Sequence, residues 1–435
     1  MQLYPYTNPA ATGHRRQIVA GEGAWVTDSE GNRLLDAVAG LWCASLGHSH
    51  EELAKAAYDQ MTTLGYYHSF RDRSVKVADD LAAKLVAMAP DGIARAFLAN
   101  GGSEAVDTAI KIERAFRNAN GEPGRKRIIA REGAYHGSLG VSAALTGLAY
   151  VRGGFDLPHD EVVRISRPHH HKEAKPNESE RQFADRLVRE LDDTIRAQGP
   201  ETIAAMIGEP VMGAGGVIIP PEGYWAGVRE VLDAHGIHLI ADEVINGFGR
   251  LGTMFGSDLY DLRPDMMTVA KQLSAAMIPV SAVLLSEEIA AKIDEASEGH
   301  GLFGHGVTYG GHPVSCAVAL KTLEIYERMD VLEVVRAKGE TMRRALDRFR
   351  GMPGVGDVRC LGMIAAVELT GEDGVTGAAV GAEAEARGVY LRIIGDVLAM
   401  CPPYVATDDD LHHMIEVLGQ AIEACTGQDE RPAAE

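Results

Sequence analysis

The chain has 435 residues, of which 46% are hydrophobic and 24% are charged. This length and composition disfavour fibrous and disordered classes and favour two domains, or one large domain with a smaller one attached. Forty-two basic and 62 acidic residues give a net charge of −20, which disfavours nucleic acid or an anionic membrane as a partner.

The predicted elements change in character along the chain. Short strands and turns over residues 23–36 are followed by helices over about 50–63 and 74–88. From about residue 93, short apolar runs alternate with helical stretches, which is typical of a largely parallel, doubly wound α/β sheet. The predicted strands are 95–99, 127–130, 202–207, 237–241, 266–270 and 280–285.

The carboxyl-terminal part begins with a predicted helix over 314–327. Strand-like segments follow at 363–368 and 388–394, then an amphipathic helix over 408–424, and the last ten residues are expected to fray. Residues 169–180 are charged and rich in histidine, which favours a solvated surface loop. We expect no metal site there, because the adjacent His169, His170 and His171 cannot easily present one tetrahedral face.

The cysteine pattern indicates the cellular compartment. The five cysteines are scattered and form no C-x-x-C motif, which favours reduced thiols in a cytoplasm. No secretory signal is expected at the amino terminus, and no apolar run is long enough to span a bilayer.

Two predicted strands end at groups of opposite charge. Asp242 follows the apolar run 237–241, and Lys271 follows the run 266–270. A structural ion pair is one explanation. The other is a site for pyridoxal 5′-phosphate (PLP), which needs a lysine for a Schiff base and a carboxylate at its pyridine nitrogen.

A second motif lies where the strand 95–99 ends and a helix begins. Gly102 and Ser103 stand in a tight turn before that helix, so their amides could bind a phosphate. The same turn could equally be an ordinary helix cap. Tyr135, after the strand 127–130, could be core packing or a ring that stacks on a flat cofactor.

Taken together and in order, these segments resemble the class III (ω-) aminotransferases of fold type I. The resemblance implies a PLP-dependent enzyme, with a large domain built on a mostly parallel seven-stranded sheet and a smaller α+β domain from both chain ends. We therefore predict domains at 1–54 with 321–435 and at 55–320. The matching segments are 100–111 (NGGSEAVDTAIK), 135–137 (YHG), 208–216 (GEPVMGAGG), 242–250 (DEVINGFGR), 264–271 (PDMMTVAK) and 308–313 (TYGGHP).

The resemblance implies how the cofactor ring would be held. Lys271 would form the Schiff base and move the proton between substrate and cofactor. Asp242 would pair with the pyridine nitrogen. Tyr135, followed by His136 in the same motif, would stack on one ring face, and Val244 would pack on the other.

The resemblance also implies how the phosphate would be held. Gly102 and Ser103 would bind it from one protomer, and Thr308 would reach it from a neighbouring one. The active unit would then be a homodimer, or a tetramer, with a shared site. Glu209 would support either the cofactor side or an arginine.

Four further residues resemble the amine:pyruvate and β-alanine:pyruvate branch. Ile245 stands where relatives acting on ornithine or 4-aminobutyrate usually carry Gln. Arg392 would be a movable clamp for a substrate carboxylate, although a surface arginine is the alternative. Trp42 and Phe70 would line the substrate pocket, although both could be ordinary core aromatics.

Two departures from the family pattern bear on the substrate. Gln272 stands after the lysine where Gly is usual, and Arg71 follows Phe70 where an aromatic is frequent. The predicted function is an ω-transaminase that moves an amino group from an amine or ω-amino acid to pyruvate. The alternatives are a decarboxylase, an epimerase or a lyase on the same fold, and a catalytically silent homologue.

Overall fold

The computed structural model describes residues 3–8, 10, 15–372 and 375–427. Fifteen strands and fifteen α-helices lie within these ranges. The strands are β1 (Ile18–Glu22), β2 (Trp25–Asp28), β3 (Arg33–Asp36), β4 (Ile93–Ala99), β5 (Arg127–Arg131), β6 (Val162–Ile165), β7 (Ile203–Gly208), β8 (His238–Asp242), β9 (Met266–Val269), β10 (Ser281–Ser286), β11 (Val355–Leu361), β12 (Ile364–Leu369), β13 (Val389–Tyr390), β14 (Arg392–Ile394) and β15 (Val397–Met400).

The helices alternate with the strands through the middle of the chain. They are α1 (Ala39–Trp42), α2 (Glu51–Leu64), α3 (Lys76–Met88), α4 (Gly102–Ala119), α5 (Gly140–Leu145), α6 (Ala149–Arg152), α7 (His170–Glu173), α8 (Glu180–Gln198), α9 (Tyr224–His235), α10 (Gly256–Tyr260), α11 (Glu287–His300), α12 (Pro313–Arg328), α13 (Val331–Leu346), α14 (Gly377–Ala386) and α15 (Asp408–Cys425). No helix in the described ranges is long and apolar enough to cross a membrane.

The central sheet has seven strands in the order β4-β10-β9-β8-β7-β5-β6. Neighbours from β9 to β6 pair in parallel, and β10 pairs antiparallel with both β9 and β4. The prediction of a mostly parallel seven-stranded α/β sheet is therefore confirmed. All six predicted strands are present, and the short edge strand β6 is the one that the apolar pattern missed.

Helices cover both faces of this sheet because alternate residues of each strand point to opposite faces. In β5, Ile128 and Ala130 belong to a core cluster with residues of α4 and α11. Ile129 lies between them and belongs to a cluster with residues of α8 and α9. Two apolar layers therefore enclose the sheet, and only its ends remain for a polar site.

The strands that carry the candidate residues end at one edge of the sheet. Strands β7, β8 and β9 are parallel, and β4 runs in the same direction because both β4 and β9 are antiparallel to β10. Their carboxyl ends therefore meet, and ligands of open α/β sheets bind at such ends.

Two four-stranded sheets lie outside the central sheet. One contains β1, β2 and β3 from the amino-terminal part, together with β13 from the carboxyl-terminal part. The other has the order β11-β12-β15-β14. The chain ends thus share a sheet, while the predicted domain boundaries at 54/55 and 320/321 fall within α2 and α12 and stay predictions.

The structure corrects two predicted segments. Residues 388–394 are not one strand: β13 and β14 lie in different sheets, and the chain changes partner at Leu391. Residues 169–180 are not a solvated loop, because α7 forms within them and His169 is buried. Of the last ten residues, 428–435 lie outside the described ranges.

A buried ionic network anchors the far end of α4. The Arg117 guanidinium donates to Glu113 Oε1 at 2.7 Å, and also to the carbonyl oxygens of Ala204 (2.8 Å) and Gly236 (3.2 Å). Glu113 is fully buried and also contacts His238 Nδ1 at 2.8 Å. The network therefore ties α4 to the start of β7 and to the turn before β8.

Arg117→Met should lower the free energy of unfolding by about 3 kcal/mol, because it leaves Glu113 buried without its cation. Arg344→Met removes a matched exposed ion pair with Glu340 and should cost less than about 1 kcal/mol. Urea unfolding of both variants measures the difference. Equal losses would contradict the role given to the network.

Candidate active site

A cavity of about 360 Å³ opens at the carboxyl edge of the central sheet. It brings together residues from segments far apart in the sequence. Its lining comprises Cys43, Asn100, Gly101, Gly102, Ser103, Tyr135, His136, Gly137, Glu209, Asp242, Val244, Ile245, Ala270, Lys271, Ser274, Ala276, Ile278, Pro279 and Val280.

The amino terminus of α4 forms one end of the cavity. Gly101 is extended, and the helix begins at Gly102. Glu104 Oε2 accepts hydrogen bonds from the main-chain and side-chain nitrogens of Asn100, at 3.0 and 2.9 Å, which fixes the turn. Ser103 Oγ accepts from Ser138 N at 3.1 Å. The first-turn amides of this 18-residue helix therefore face the cavity end as donors for an anion.

Asp242 is the last residue of β8 and lies at the cavity wall, 3% exposed. Its Oδ2 lies 2.7 Å from His136 Nδ1, and its Oδ1 accepts from Thr268 Oγ1 and Val244 N, both at 3.2 Å. Three protein groups thus hold one buried carboxylate in a single orientation. A buried carboxylate needs such partners because water no longer solvates it.

Lys271 follows β9 and begins a short 3-10 helix, Lys271–Ser274. Its φ of +46° lies in the left-handed region, which is uncommon for a residue with a side chain. Burial lowers the pKa of the Lys271 amine, while the nearby acidic groups of Cys43, Asp242 and Glu209 act in the opposite direction. A lowered pKa favours a neutral amine, which can act as a nucleophile and a base.

Tyr135 is held through Glu209, at the end of β7. Glu209 Oε1 accepts from Tyr135 N at 3.1 Å, and Oε2 accepts from Gly213 N at 2.8 Å. Burial raises the pKa of Glu209. Arg131 Nη2 donates to the Glu209 carbonyl at 2.5 Å. The Glu209 carboxylate therefore links the main chain at Tyr135 to the main chain at Gly213.

The cavity fits the cofactor that the sequence resemblance implies. A Cβ atom on Gly102 would lie 3.1 Å from Val244 Cγ1, so only glycine lets the helix terminus approach that wall without displacement. The cavity also offers an amine at Lys271, a buried carboxylate at Asp242 and an aromatic side chain at Tyr135. These are the groups that PLP requires.

Four expected site residues do not line this cavity. Trp42 is 4% exposed and belongs to the same core cluster as Ile245. Phe70 and Thr308 are exposed, which is where residues offered to a second protomer would lie. Arg392 is half-buried and lies near Tyr150. Burial raises the pKa of Tyr150, and the charge of Arg392 partly offsets this effect.

The structure adds residues at the cavity that the sequence patterns did not single out. Cys43 lines it beside Lys271. Tyr6 Oη lies 3.5 Å from Tyr135 Oη, and the Tyr6 ring meets the Tyr150 ring edge-on at a centroid distance of 6.0 Å. Tyr6 and Tyr150 therefore lie near Tyr135, and Arg392 lies close enough to Tyr150 to affect its pKa. No local motif marks them, because the amino-terminal segment reaches this place only in the folded chain.

One histidine of the 169–171 cluster does meet carboxylates. Ligand atoms of His169, Asp357 and Glu368 lie within 4.8 Å of one another. Arg359 Nη1, however, lies 3.1 Å from His169 Nε2 and 2.6 Å from an oxygen of each carboxylate. A guanidinium cation thus bonds to all three groups, and the cluster serves as an ion network between the β11–β12 hairpin and the segment before α7.

Comparisons with known proteins agree with this geometry. The chain matches the family model described as aminotransferase class-III over residues 6–422. It is 44% identical to gamma aminobutyrate transaminase 1, mitochondrial, of Solanum lycopersicum, over 93% of this chain and 81% of that protein. A similar relative from Oryza sativa subsp. indica is 42% identical, over 94% and 82%. The omega transaminase of Pseudomonas jessenii in complex with PMP superposes with a TM-score of 0.96 at 42% identity, covering 98% of this chain and 97% of that one.

Glu243 makes the stability of this region depend on pH. It is fully buried, accepts from Gly256 N (2.9 Å) and Ser257 N (2.6 Å), and burial raises its pKa to about 7. A carboxyl with a raised folded-state pKa contributes stability below about pH 4.5 that is lost as the pH rises through about 7.

Glu243→Gln should therefore remove a decline in stability between pH 5 and 8 that amounts to as much as about 3 kcal/mol. Urea midpoints of both proteins across this range measure it. The control is Glu340→Gln, since Glu340 is exposed to solvent and its pKa is lowered to about 2 by Arg343 and Arg344. This control should follow the wild type, and a Glu243→Gln curve parallel to wild type would contradict the prediction.

Proposed function

Because the chain belongs to the class-III aminotransferase family, whose cofactor is PLP, we propose that it moves an amino group from an amine or ω-amino acid to pyruvate or a similar keto acid. One observation carries this proposal. Lys271, Asp242 and the amino terminus of α4 meet in a single cavity, although 168 residues separate Lys271 from Ser103.

Lys271 is the residue that would move the proton. Bound PLP supplies an aldehyde that takes up the amino group and an electron-poor ring that absorbs the electrons of the broken C–H bond. Lys271 Nζ would take the proton from the donor's amino-bearing carbon and deliver it on the cofactor side. Its burial supports this role, because a lowered pKa leaves more of the amine neutral near pH 7.

The other cavity residues would bind and orient. Asp242, fixed by His136, would face the ring nitrogen and keep it protonated. Tyr135 and Val244 would enclose the ring, and the amides of Gly102 and Ser103 would hold the phosphate. One cavity would serve both half-reactions, so donor and acceptor would bind in turn in a ping-pong sequence.

The choice of donor rests on the cavity wall and its rim. Ile245 places an aliphatic side chain on the wall, and Arg392 stands near Tyr150 at the rim, where it could bind a donor carboxylate. Ile245 favours the amine:pyruvate branch. Some relatives are named gamma aminobutyrate transaminases, so 4-aminobutyrate is also a donor to test.

An exposed apolar surface supports a homodimer. The Tyr66 ring lies 5.8 Å from that of Tyr309, and Tyr66 Oη donates to the Thr308 carbonyl at 2.9 Å. The two segments therefore form one surface, and contiguous exposed apolar surfaces of this kind mark interaction sites. Its exposed members are Tyr58, Met61, Leu64, Tyr66, Tyr67, Phe70, Leu302, Phe303 and Tyr309. We propose that a second copy covers this surface and that Thr308 then reaches the neighbouring phosphate site.

A cytoplasmic location remains our proposal. The five cysteines are all unpaired, which supports a reducing compartment. The relatives named mitochondrial and chloroplastic are plant proteins, and their locations belong to them.

An amine panel with pyruvate as acceptor tests the function. We expect alanine to form in equal amount to the carbonyl product from at least one of β-alanine, 4-aminobutyrate, 1-phenylethylamine and taurine. Lys271→Ala should lower the rate by at least ~10³-fold, because the base and the cofactor attachment are lost together. Lys292→Ala, on the exterior helix α11, should retain activity.

Borohydride treatment of the wild-type protein should bleach its colour and add mass at Lys271. Release of CO2 without alanine would favour the decarboxylase alternative, and elimination or racemised product would favour a lyase or an epimerase. A Lys271→Ala protein that still transaminates would exclude the proposed role of this lysine, and a wild-type protein that binds no PLP would favour a silent homologue.

Sedimentation equilibrium tests the dimer. Tyr58→Glu combined with Met61→Glu should convert a dimer to a monomer, because charges placed in the contact would have to be buried. Activity should fall with it, since Thr308 would no longer reach a second site. Leu259→Glu, an exposed substitution on α10, should remain dimeric. A monomeric wild type that is fully active would contradict the shared site.

A further inference from the structure

Gln272 connects two walls of the candidate active site. It follows Lys271 directly, is fully buried, and donates from Nε2 to the main-chain carbonyl of Ile245 at 2.9 Å. Lys271 stands on one wall of the cavity, and Val244 and Ile245 form another. A single hydrogen bond therefore crosses from the lysine turn to the aliphatic wall.

The chemistry of a carboxamide makes this bond directional. Only its NH2 end can donate to a carbonyl oxygen, so the orientation of Gln272 follows from its partner. Its Oε1 atom is buried and has no hydrogen-bond partner among the described residues. The hydrogen bond to Ile245 is therefore the one hydrogen bond that the Gln272 side chain makes among the described residues.

The wall that Gln272 holds has little room to move away from the cavity. A Cβ atom on Gly213 would lie only 2.6 Å from Ile245 Cδ1, and a Cβ atom on Gly102 would lie 3.1 Å from Val244 Cγ1. Both positions are glycine, and the aliphatic side chains already fill the space that a methyl group would need. Gly213, which lies outside the cavity lining, thus packs against Ile245 from behind, and Gly102 contacts Val244 at the end of the cavity. Gln272 restrains the wall on the side of Lys271.

The main chain of Gln272 is itself fixed. Its carbonyl accepts a hydrogen bond from Tyr326 Oη at 2.7 Å, and Tyr326 Oη also contacts Ser45 Oγ. Ser45 lies two residues after Cys43, which lines the cavity. Gln272 therefore joins the lysine turn, the Val244–Ile245 wall and the segment that carries Cys43.

We propose that Gln272 is a positioning residue that sets the separation between Lys271 and the Val244–Ile245 wall, and so limits the bulk of the group that a donor carries beside its amino-bearing carbon. The proposal rests on the proposed transaminase function. It concerns a residue that contacts neither substrate nor cofactor and that acts through the carbonyl of Ile245.

The test compares three variants as PLP-loaded enzymes. Gln272→Met keeps the length of the side chain but removes the donor. Gln272→Asn keeps a carboxamide that is one methylene shorter, and it serves if the Met variant does not fold. Thr322→Val is the control, because it also removes a buried side-chain donor to a carbonyl, that of Val318 at 2.9 Å, at a position on α12 outside the cavity lining.

Two readouts are measured. The first is the donor ratio, which is kcat/KM for 1-phenylethylamine divided by kcat/KM for β-alanine. It should rise on the order of tenfold in both Gln272 variants, because a loosened wall admits a bulky donor and positions a compact donor poorly. The second is the pH titration of the visible absorbance band of bound PLP. Its midpoint should move upward by at least about half a pH unit, because a looser wall admits water beside Lys271.

A double variant separates the proposed route from a general loss of structure. Ile245→Ala removes the side chain that Gln272 is proposed to position. If Gln272 acts through this wall, adding Gln272→Met to the Ile245→Ala protein should change the donor ratio less than twofold. Equal effects in both backgrounds would overturn the proposal. So would Gln272 variants whose donor ratio and absorbance titration both match those of the wild type and Thr322→Val.

The two proposals can fail independently. If the wild type transfers no amino group from any donor, the transaminase function fails, while the absorbance titration still tests Gln272. If the wild type transaminates and the Gln272 variants match it in both the donor ratio and the absorbance titration, the positioning role alone is wrong.

Discussion

The buried carboxylate of Asp242 is the constraint around which this protein is arranged. A charged group at the end of a buried strand is costly unless neighbouring groups replace its water. His136, Thr268 and the amide of Val244 do so, and each comes from a different segment. The parallel order of β5, β7, β8 and β9 makes this possible, because His136 follows β5, Val244 follows β8 and Thr268 lies near the end of β9, all at one edge of the sheet.

The same edge places an amine of lowered pKa in one cavity with the amino terminus of α4. Lys271 is held in a left-handed conformation between a buried strand and a short 3-10 turn, and its burial lowers its pKa. The first turn of α4 supplies donors at the other end of the cavity. Acid, amine and helix terminus thus line one cavity, and main-chain amides can bind an anion without a large net positive charge, which reconciles an anionic ligand with a chain of charge −20.

Close packing and hydrogen bonds around the cavity restrain the residues that line it. Glycines at 102 and 213 let main chain approach Val244 and Ile245 closely, and Gly213 limits the movement of Ile245 away from the cavity. Gln272 and Glu209 then bind main-chain atoms of Ile245 and of Tyr135, two residues of the cavity lining. Rigid support of this kind matters because a displacement of about 1 Å at a reacting group can cost a large factor in rate.

Much of the site was predictable from the sequence because its chemistry is local. Asp242, Lys271, Gly102 and Ser103 each stand at a strand end or a helix start, and short apolar runs reveal such boundaries. The order of the motifs indicated the family, the cofactor and the sheet. The two-residue strand β13 and the burial of His169 were not predictable in this way, since both depend on partners about 200 or more residues away, Leu35 and Glu368.

The amino-acid sequence by itself therefore determined the fold class, the cofactor and the residues expected to do the chemistry. The tertiary structure decided which residues surround them: Tyr6 beside Tyr135, Cys43 beside Lys271, and Gln272 on the carbonyl of Ile245. The physical reason is that periodicity and turn chemistry act over a few residues, whereas the contacts that shape a cavity form between side chains that only the folded sheet brings together.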